Sequence, residues 1–165
     1  MYRKGHYGVS LLVFAPVEFV LVAADRPTLA LATGGTMLWL AMLPDADQRI
    51  PGLTHRGATH TLAFAGAVGV AFALAGSLVA PGVAAVTSVG RAAVATYGFA
   101  LGTLTVGAHL LADLLTPAGV ALLWPLSGHR FSLSLTTADD RVWNYGLLVA
   151  GVLVAAAVLV AAGAV

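Results

Sequence analysis

Leu43-Pro44-Asp45-Ala46-Asp47-Gln48-Arg49-Ile50-Pro51-Gly52-Leu53-Thr54-His55-Arg56-Gly57-Ala58-Thr59-His60-Thr61-Leu62 is the polar centre of a hydrophobic sequence. Two carboxylates and two imidazoles fall within the sixteen residues from Asp45 to His60, in a chain with seven acids and five histidines in all. On either side the chain turns apolar, over Thr28 to Leu43 and Thr61 to Ala80, and further apolar runs cover Val9 to Ala24, Ala92 to Leu115 and Trp143 to Val165. Each approaches the ~20 residues that cross a bilayer as a helix. Composition agrees, with 59% hydrophobic and 9% charged residues, where soluble proteins carry roughly a quarter charged. The expected fold is all-α: a multi-pass integral membrane helical bundle of about five transmembrane helices, with residues 1–165 as a single transmembrane domain. The absence of cysteine excludes disulfide and thiolate chemistry. A net charge of +1 without a basic, aromatic-interleaved patch gives no sign of a nucleic-acid partner.

Orientation follows from the cations. Arg3, Lys4, Arg49, Arg56, Arg130 and Arg141 fall on one side of the five spans, and only Arg26 and Arg91 on the other. The positive-inside bias then places the N-terminus in the cytoplasm, in a cell (inner or plasma) membrane. A cleaved leader ending near Val22-Ala23-Ala24 competes with this reading, but Pro16 and Glu18 interrupt its apolar region. Glu18 itself is expected to snorkel toward Arg26 at the outer boundary.

Span two stops at Pro44, which lacks an N–H and disfavours helix in the residue before it. In extended chain, Asp45 and Asp47 at i and i+2 point to one side, so both carboxylates face one ion; a bare Asp-x-Asp is more often a polar turn. If residues 55–60 were helical, His55 and His60 would lie about 140° apart. They converge only if a loop, freed by Gly57, precedes a helix starting near Thr59. No His-Glu-x-x-His occurs, which disfavours an intramembrane metalloprotease. Residues 81–91 read as a loop, and Gly98-x-x-x-Gly102 in span four as a surface for close helix approach.

At the end of span four, His109 and Asp113 at i and i+4 project from one helical face. An ionisable pair inside an apolar helix is costly unless partnered. A cation satisfies both members, although a simple His–Asp hydrogen bond is the plainer alternative. His6, alone, reads as an interfacial imidazole. Taken with the topology, however, His6, Asp45, Asp47, His55, His60, His109 and Asp113 are all expected at the cytoplasmic face. Seven donors exceed the three protein ligands of a catalytic zinc site. Three carboxylates and two divalent cations leave about +1, a site that favours an anionic group and suits displacement at phosphorus.

The stretches Leu43-Pro44-Asp45-Ala46-Asp47, His55-Arg56-Gly57-Ala58-Thr59-His60-Thr61, His109 through Val120 and Leu123-Trp124-Pro125, preceded by Gly5-His6, resemble the inner-membrane metal-dependent hydrolase family typified by the bacterial YdjM protein. The similarity covers residues 6–131, with Gln48 standing where members often carry His. It implies a multi-pass membrane hydrolase whose metal site comprises those seven residues. His129 matches no motif of the family and is left outside.

The functional expectation is therefore hydrolysis of a phosphoester or related ester, on a small molecule or a lipid, at the cytoplasmic membrane surface through a metal-activated water. The cofactor is a divalent ion, zinc by preference, with two ions fitting the donor count. Asp45 or Asp47 serves as base and Arg56 holds substrate oxygens. Membrane lipids are the other expected contact. A non-catalytic metal-binding or transport protein is the alternative.

Overall fold

The computed structural model describes residues 1–163 and is built from five long helices: α1 (Arg3–Ala23), α2 (Pro27–Leu40), α3 (Leu62–Val86), α4 (Arg91–Leu114) and α5 (Arg141–Ala161). All five, with α2 counted through the short turn that continues it to Arg49, are long and apolar enough to cross a membrane. Large apolar side chains face outward as well as inward: Trp39, Leu78, Val86 and Val142 are almost fully exposed. Hydrocarbon surroundings make such a surface costless. The end of the expected fifth span, Ala164 and Val165, lies outside the described residues.

Without a hydrophobic force between helices in lipid, close packing must hold the bundle together, and small residues line its two long seams. Along the α3–α4 seam, a Cβ at Gly98 would come within 2.5 Å of the Phe72 carbonyl oxygen, and one at Gly102 within 2.8 Å of that of Val68. The glycine pair read from the sequence therefore meets α3. Along the α1–α5 seam, Gly8 lies against the Leu147 backbone and Gly151 against the Gly8 carbonyl. Helix α1 also packs on α2 and α4, where Phe14 meets Ala30, Met37 and Ala108.

Three local expectations are corrected. Helix α3 runs through Pro81 to Val86, so the loop before α4 shrinks to residues 87–90. Proline removes one backbone bond, a loss that membrane helices tolerate. The chain after α2 is not extended but coils into a 3-10 turn over Pro44–Arg49, with Pro44 in the first position, where its fixed φ suits a helix start. The loop before α3 holds Gly52 (φ 89°) and Arg56 (φ 58°) in the left-handed region, and it needs glycine at 57 as expected, since a Cβ there would press to within 2.7 Å of the Thr54 carbonyl. Glu18 does not reach Arg26: its side chain is buried in the bundle with Oε2 unpartnered.

One end of the bundle gathers the termini of all five helices. Asn144, buried at the start of α5, accepts from the Tyr2 N–H at 3.0 Å and donates to the Ala138 and Asp140 carbonyls, fastening α1 to α5. The segment between α4 and α5 folds back over α4: Val120 and Phe131 exchange backbone bonds of 3.0 and 2.9 Å, and the Leu133 N–H donates to the Leu114 carbonyl at 2.7 Å.

Candidate metal centre

Three histidines enter this end from three directions. His6 comes from the first turns of α1, His60 from a 3-10 turn (Ala58–His60) ahead of α3, and His109 from α4. Thr61 caps α3 by accepting from the Phe64 N–H at 3.0 Å, which fixes where the loop ends and how His60 enters. All three rings are fully buried.

Each ring has its Nδ1 against an acceptor. His6 Nδ1 lies 3.1 Å from the Tyr2 carbonyl, His109 Nδ1 2.8 Å from the Ala41 carbonyl, and His60 Nδ1 3.3 Å from Asp47 Oδ2 and 3.0 Å from Thr59 Oγ1. A neutral ring that donates from Nδ1 keeps a lone pair at Nε2. The Nε2 atoms of His60 and His109 turn to a common centre, and that of His6 lies beside it, 3.5 Å from Asp113 Oδ1. Those of His60 and His109 are 3.2 Å apart, and the His6 ring stacks on His109 with centroids 4.2 Å apart.

Two carboxylates complete the set. His60 Nε2 lies 3.3 Å from Asp45 Oδ1 and 3.5 Å from Asp113 Oδ2; His109 Nε2 lies 3.6 Å from each of the same two atoms. Ligand atoms held ~2.0–2.2 Å from a tetrahedral ion are separated by about 3.3–3.6 Å. Asp45, His60, His109 and Asp113 thus match five of the six edges of a coordination tetrahedron, the sixth, between the two carboxylates, lying within 4.8 Å. Asp113 Oδ2 and His6 Nε2 are buried with no hydrogen-bond partner, an arrangement that is costly unless a cation or proton completes it. The donor set fits a divalent ion.

The 3-10 turn separates Asp45 from Asp47, since residues two apart diverge at three per turn. Asp45 faces the His60 Nε2 side of the ring and Asp47 the Nδ1 side. Asp47 also accepts from the Arg56 N–H at 3.1 Å and the Thr59 hydroxyl at 2.9 Å, and lies 3.1 Å from His55 Nδ1. Asp47, His55 and His60 form a second group of metal-capable donors that shares His60 with the first. His55 is half-exposed at the rim.

Six of the seven expected donors fall into these two groups, and the seventh, His6, lies beside the first with its Nε2 3.5 Å from Asp113 Oδ1. Arg56 is placed differently from its assigned role on substrate oxygens. Its guanidinium is buried, donating to Asp113 Oδ1 at 2.8 Å, to Thr116 Oγ1 at 3.2 Å and to the Gly119 carbonyl at 3.4 Å. The Met1 amino group adds a 2.9 Å bond to Asp113 Oδ1. His129 stands apart, exposed against Phe131. Sequence reading missed the carbonyls of Tyr2 and Ala41 and the hydroxyl of Thr59, which set the ring orientations. Backbone acceptors leave no residue-type signal. It also missed Arg3 and Arg49, which line a cavity of about 570 Å³ opening on Asp45 and had served only to set orientation.

The family model for the YdjM inner membrane protein matches residues 1–165, the whole chain, and the chain belongs to that family. No curated protein and no solved structure matches it.

Proposed function

We propose that the chain is a metal-dependent hydrolase of phosphoesters or related esters, acting at the cytoplasmic surface of the inner membrane. The observation that supports this reading is the convergence of the His60 and His109 Nε2 lone pairs with Asp45 and Asp113, with His6 Nε2 beside them at 3.5 Å from Asp113 Oδ1 and each ring held in one tautomer by a separate acceptor. A divalent ion there, zinc by preference, would supply a Lewis acid and an acidified water. One ion accounts for the buried group. His60 spends Nδ1 on Asp47 and Thr59, so its single lone pair serves the Nε2 side alone.

The remaining residues take roles by position. Asp47 holds His60 in its tautomer, as carboxylate partners of metal-bound histidines do. It also fixes His55, whose half-exposed ring is placed at the rim to accept a proton from water. Arg56 neutralises Asp113 Oδ1 and leaves Oδ2 for the ion. A transport role would want donors along a path through the bilayer, whereas all the clustered donors sit at one end.

Metal analysis of protein purified in detergent, followed by a phosphoester and lipid panel with and without chelator, tests the reading. Turnover that survives complete metal removal would overturn it. Reporter fusions test its placement: a C-terminus found in the cytoplasm would put the centre on the opposite side of the membrane.

A further inference from the structure

Arg3, Lys4 and Arg141 line a cavity of about 500 Å³ between the starts of α1 and α5, together with Tyr2, Asn144 and Tyr145. A cation placed only to orient a membrane protein needs neither a shared cavity nor a fixed side chain. All three line one cavity, and Arg3 and Lys4 are also fixed. Lys4 Nζ lies over the Tyr145 ring, 3.9 Å from its centroid, and also contacts the Tyr145 hydroxyl. Arg3 donates to the Tyr7 hydroxyl at 2.9 Å. No carboxylate pairs with Arg3, Lys4 or Arg141 among the described residues; the adjacent Asp140 accepts from the Trp143 N–H at 3.0 Å. A neutral phenol fixes a cation without cancelling its charge, so three like charges remain focused on one cavity.

The second cavity, about 570 Å³, shares Tyr2 and Arg3 as its wall and carries Arg49 and Asp45 on its other side. The cationic cavity therefore adjoins the one that opens on the metal centre. We propose that it is an anion subsite of that centre, taking a phosphate group so that a substrate held there extends past Arg3 toward Asp45. The assignment of Asp45 as the reacting end rests on the hydrolase reading; the binding of phosphate does not. Guanidinium and ammonium groups on phosphate make the stronger, charge-assisted class of hydrogen bond. Hydrolysis at the centre would then select substrates bearing an anionic phosphate over neutral esters.

The test uses full-length protein in neutral detergent, treated with chelator so that binding is read without turnover. The probes are a short-chain phosphatidic acid, the matching phosphatidylcholine and inorganic phosphate. Phosphatidic acid is expected to bind the parent. It should bind the double variant Lys4→Gln with Arg141→Gln about tenfold more weakly, and the charge-preserving pair Lys4→Arg with Arg141→Lys near the parent level. Arg91→Gln, at the far end of the bundle, should leave binding unchanged, and metal content after reloading should match the parent in every variant. Inorganic phosphate binding with the same dependence assigns the site to free phosphate; binding of phosphatidic acid alone assigns it to a lipid headgroup. Equal binding by phosphatidylcholine, or a double variant that binds as the parent does, overturns the proposal. If the parent binds phosphate but its metal-loaded form cleaves no ester, the hydrolase reading falls and the subsite stands. If the loaded form cleaves esters and the double variant keeps the parent KM and affinity, the subsite falls alone.

Discussion

Ionisable side chains are buried in two places in this bundle, on opposite terms. At the polar end, His6, His60, His109, Asp47 and Asp113 are almost completely inaccessible, yet each lies within reach of several others. In the last third of α1, Glu18 is also buried, and its Oε2 has no hydrogen-bond partner. Both break the rule that membrane interiors exclude acids, and a span acid is by default a functional candidate. The contrast shows that burial alone does not make a site. What marks the cluster is that its rings are pre-set by outside acceptors and its lone pairs left facing inward, whereas Glu18 is held by no such partners.

The largest test of this contrast is Asp113→Asn. It removes one proposed ligand and, among the described residues, the only carboxylate paired with buried Arg56, and breaking a buried pair costs ~3–5 kcal/mol. Metal content should fall to background and unfolding in detergent should shift down, while membrane insertion is retained. Full occupancy at the parent affinity would reduce the His109–Asp113 pair to a hydrogen bond and erase the distinction from Glu18. Asp47→Asn should act next, by releasing the His60 tautomer without removing a donor from the buried group. Metal affinity is expected to drop about 10- to 100-fold, as it does for carboxylates behind a histidine ligand. An unchanged affinity would assign His60 the opposite tautomer. Glu18→Leu should go the other way, raising stability by about 1 kcal/mol because an unpartnered buried polar group is exchanged for an apolar one; metal content should not move. Any loss of metal or turnover there would tie Glu18 to the centre and break the comparison. Asp139→Asn, at the exposed approach to α5, should change neither metal content nor stability, and sets the baseline for the other three.

Much of this was legible because membranes constrain sequences strongly. Five apolar runs and the spacing of charges between them were enough for the bundle, since only a helix satisfies its backbone within the hydrocarbon. The same alternation of ends placed His6, Asp45, Asp47, His55, His60, His109 and Asp113 at one face before any contact was known. Helical spacing sufficed for His109 and Asp113, whose side chains share a face by geometry alone. The glycines of α4 were readable as a packing surface, though not that α3 is what they meet.

Tertiary structure decided the rest, for reasons the chain does not carry locally. Pro44 was a stop signal in the sequence; that the six residues Pro44–Arg49 wind into a 3-10 turn, sending Asp45 and Asp47 to opposite nitrogens of His60, depends on where His60 is held. Arg56 is a flexible cation until Asp113, Thr116 and Gly119 surround it, more than fifty residues away in sequence. The tautomers of His6 and His109 are set by carbonyls, which every residue has, so no residue type announces them. Glu18 looked able to snorkel toward Arg26 beyond the end of its span, but the packing of the bundle enclosed it instead. Sequence determined which groups must share an end of the molecule; the fold determined which atoms of those groups face one another, because that depends on the packing of helices far apart in the chain.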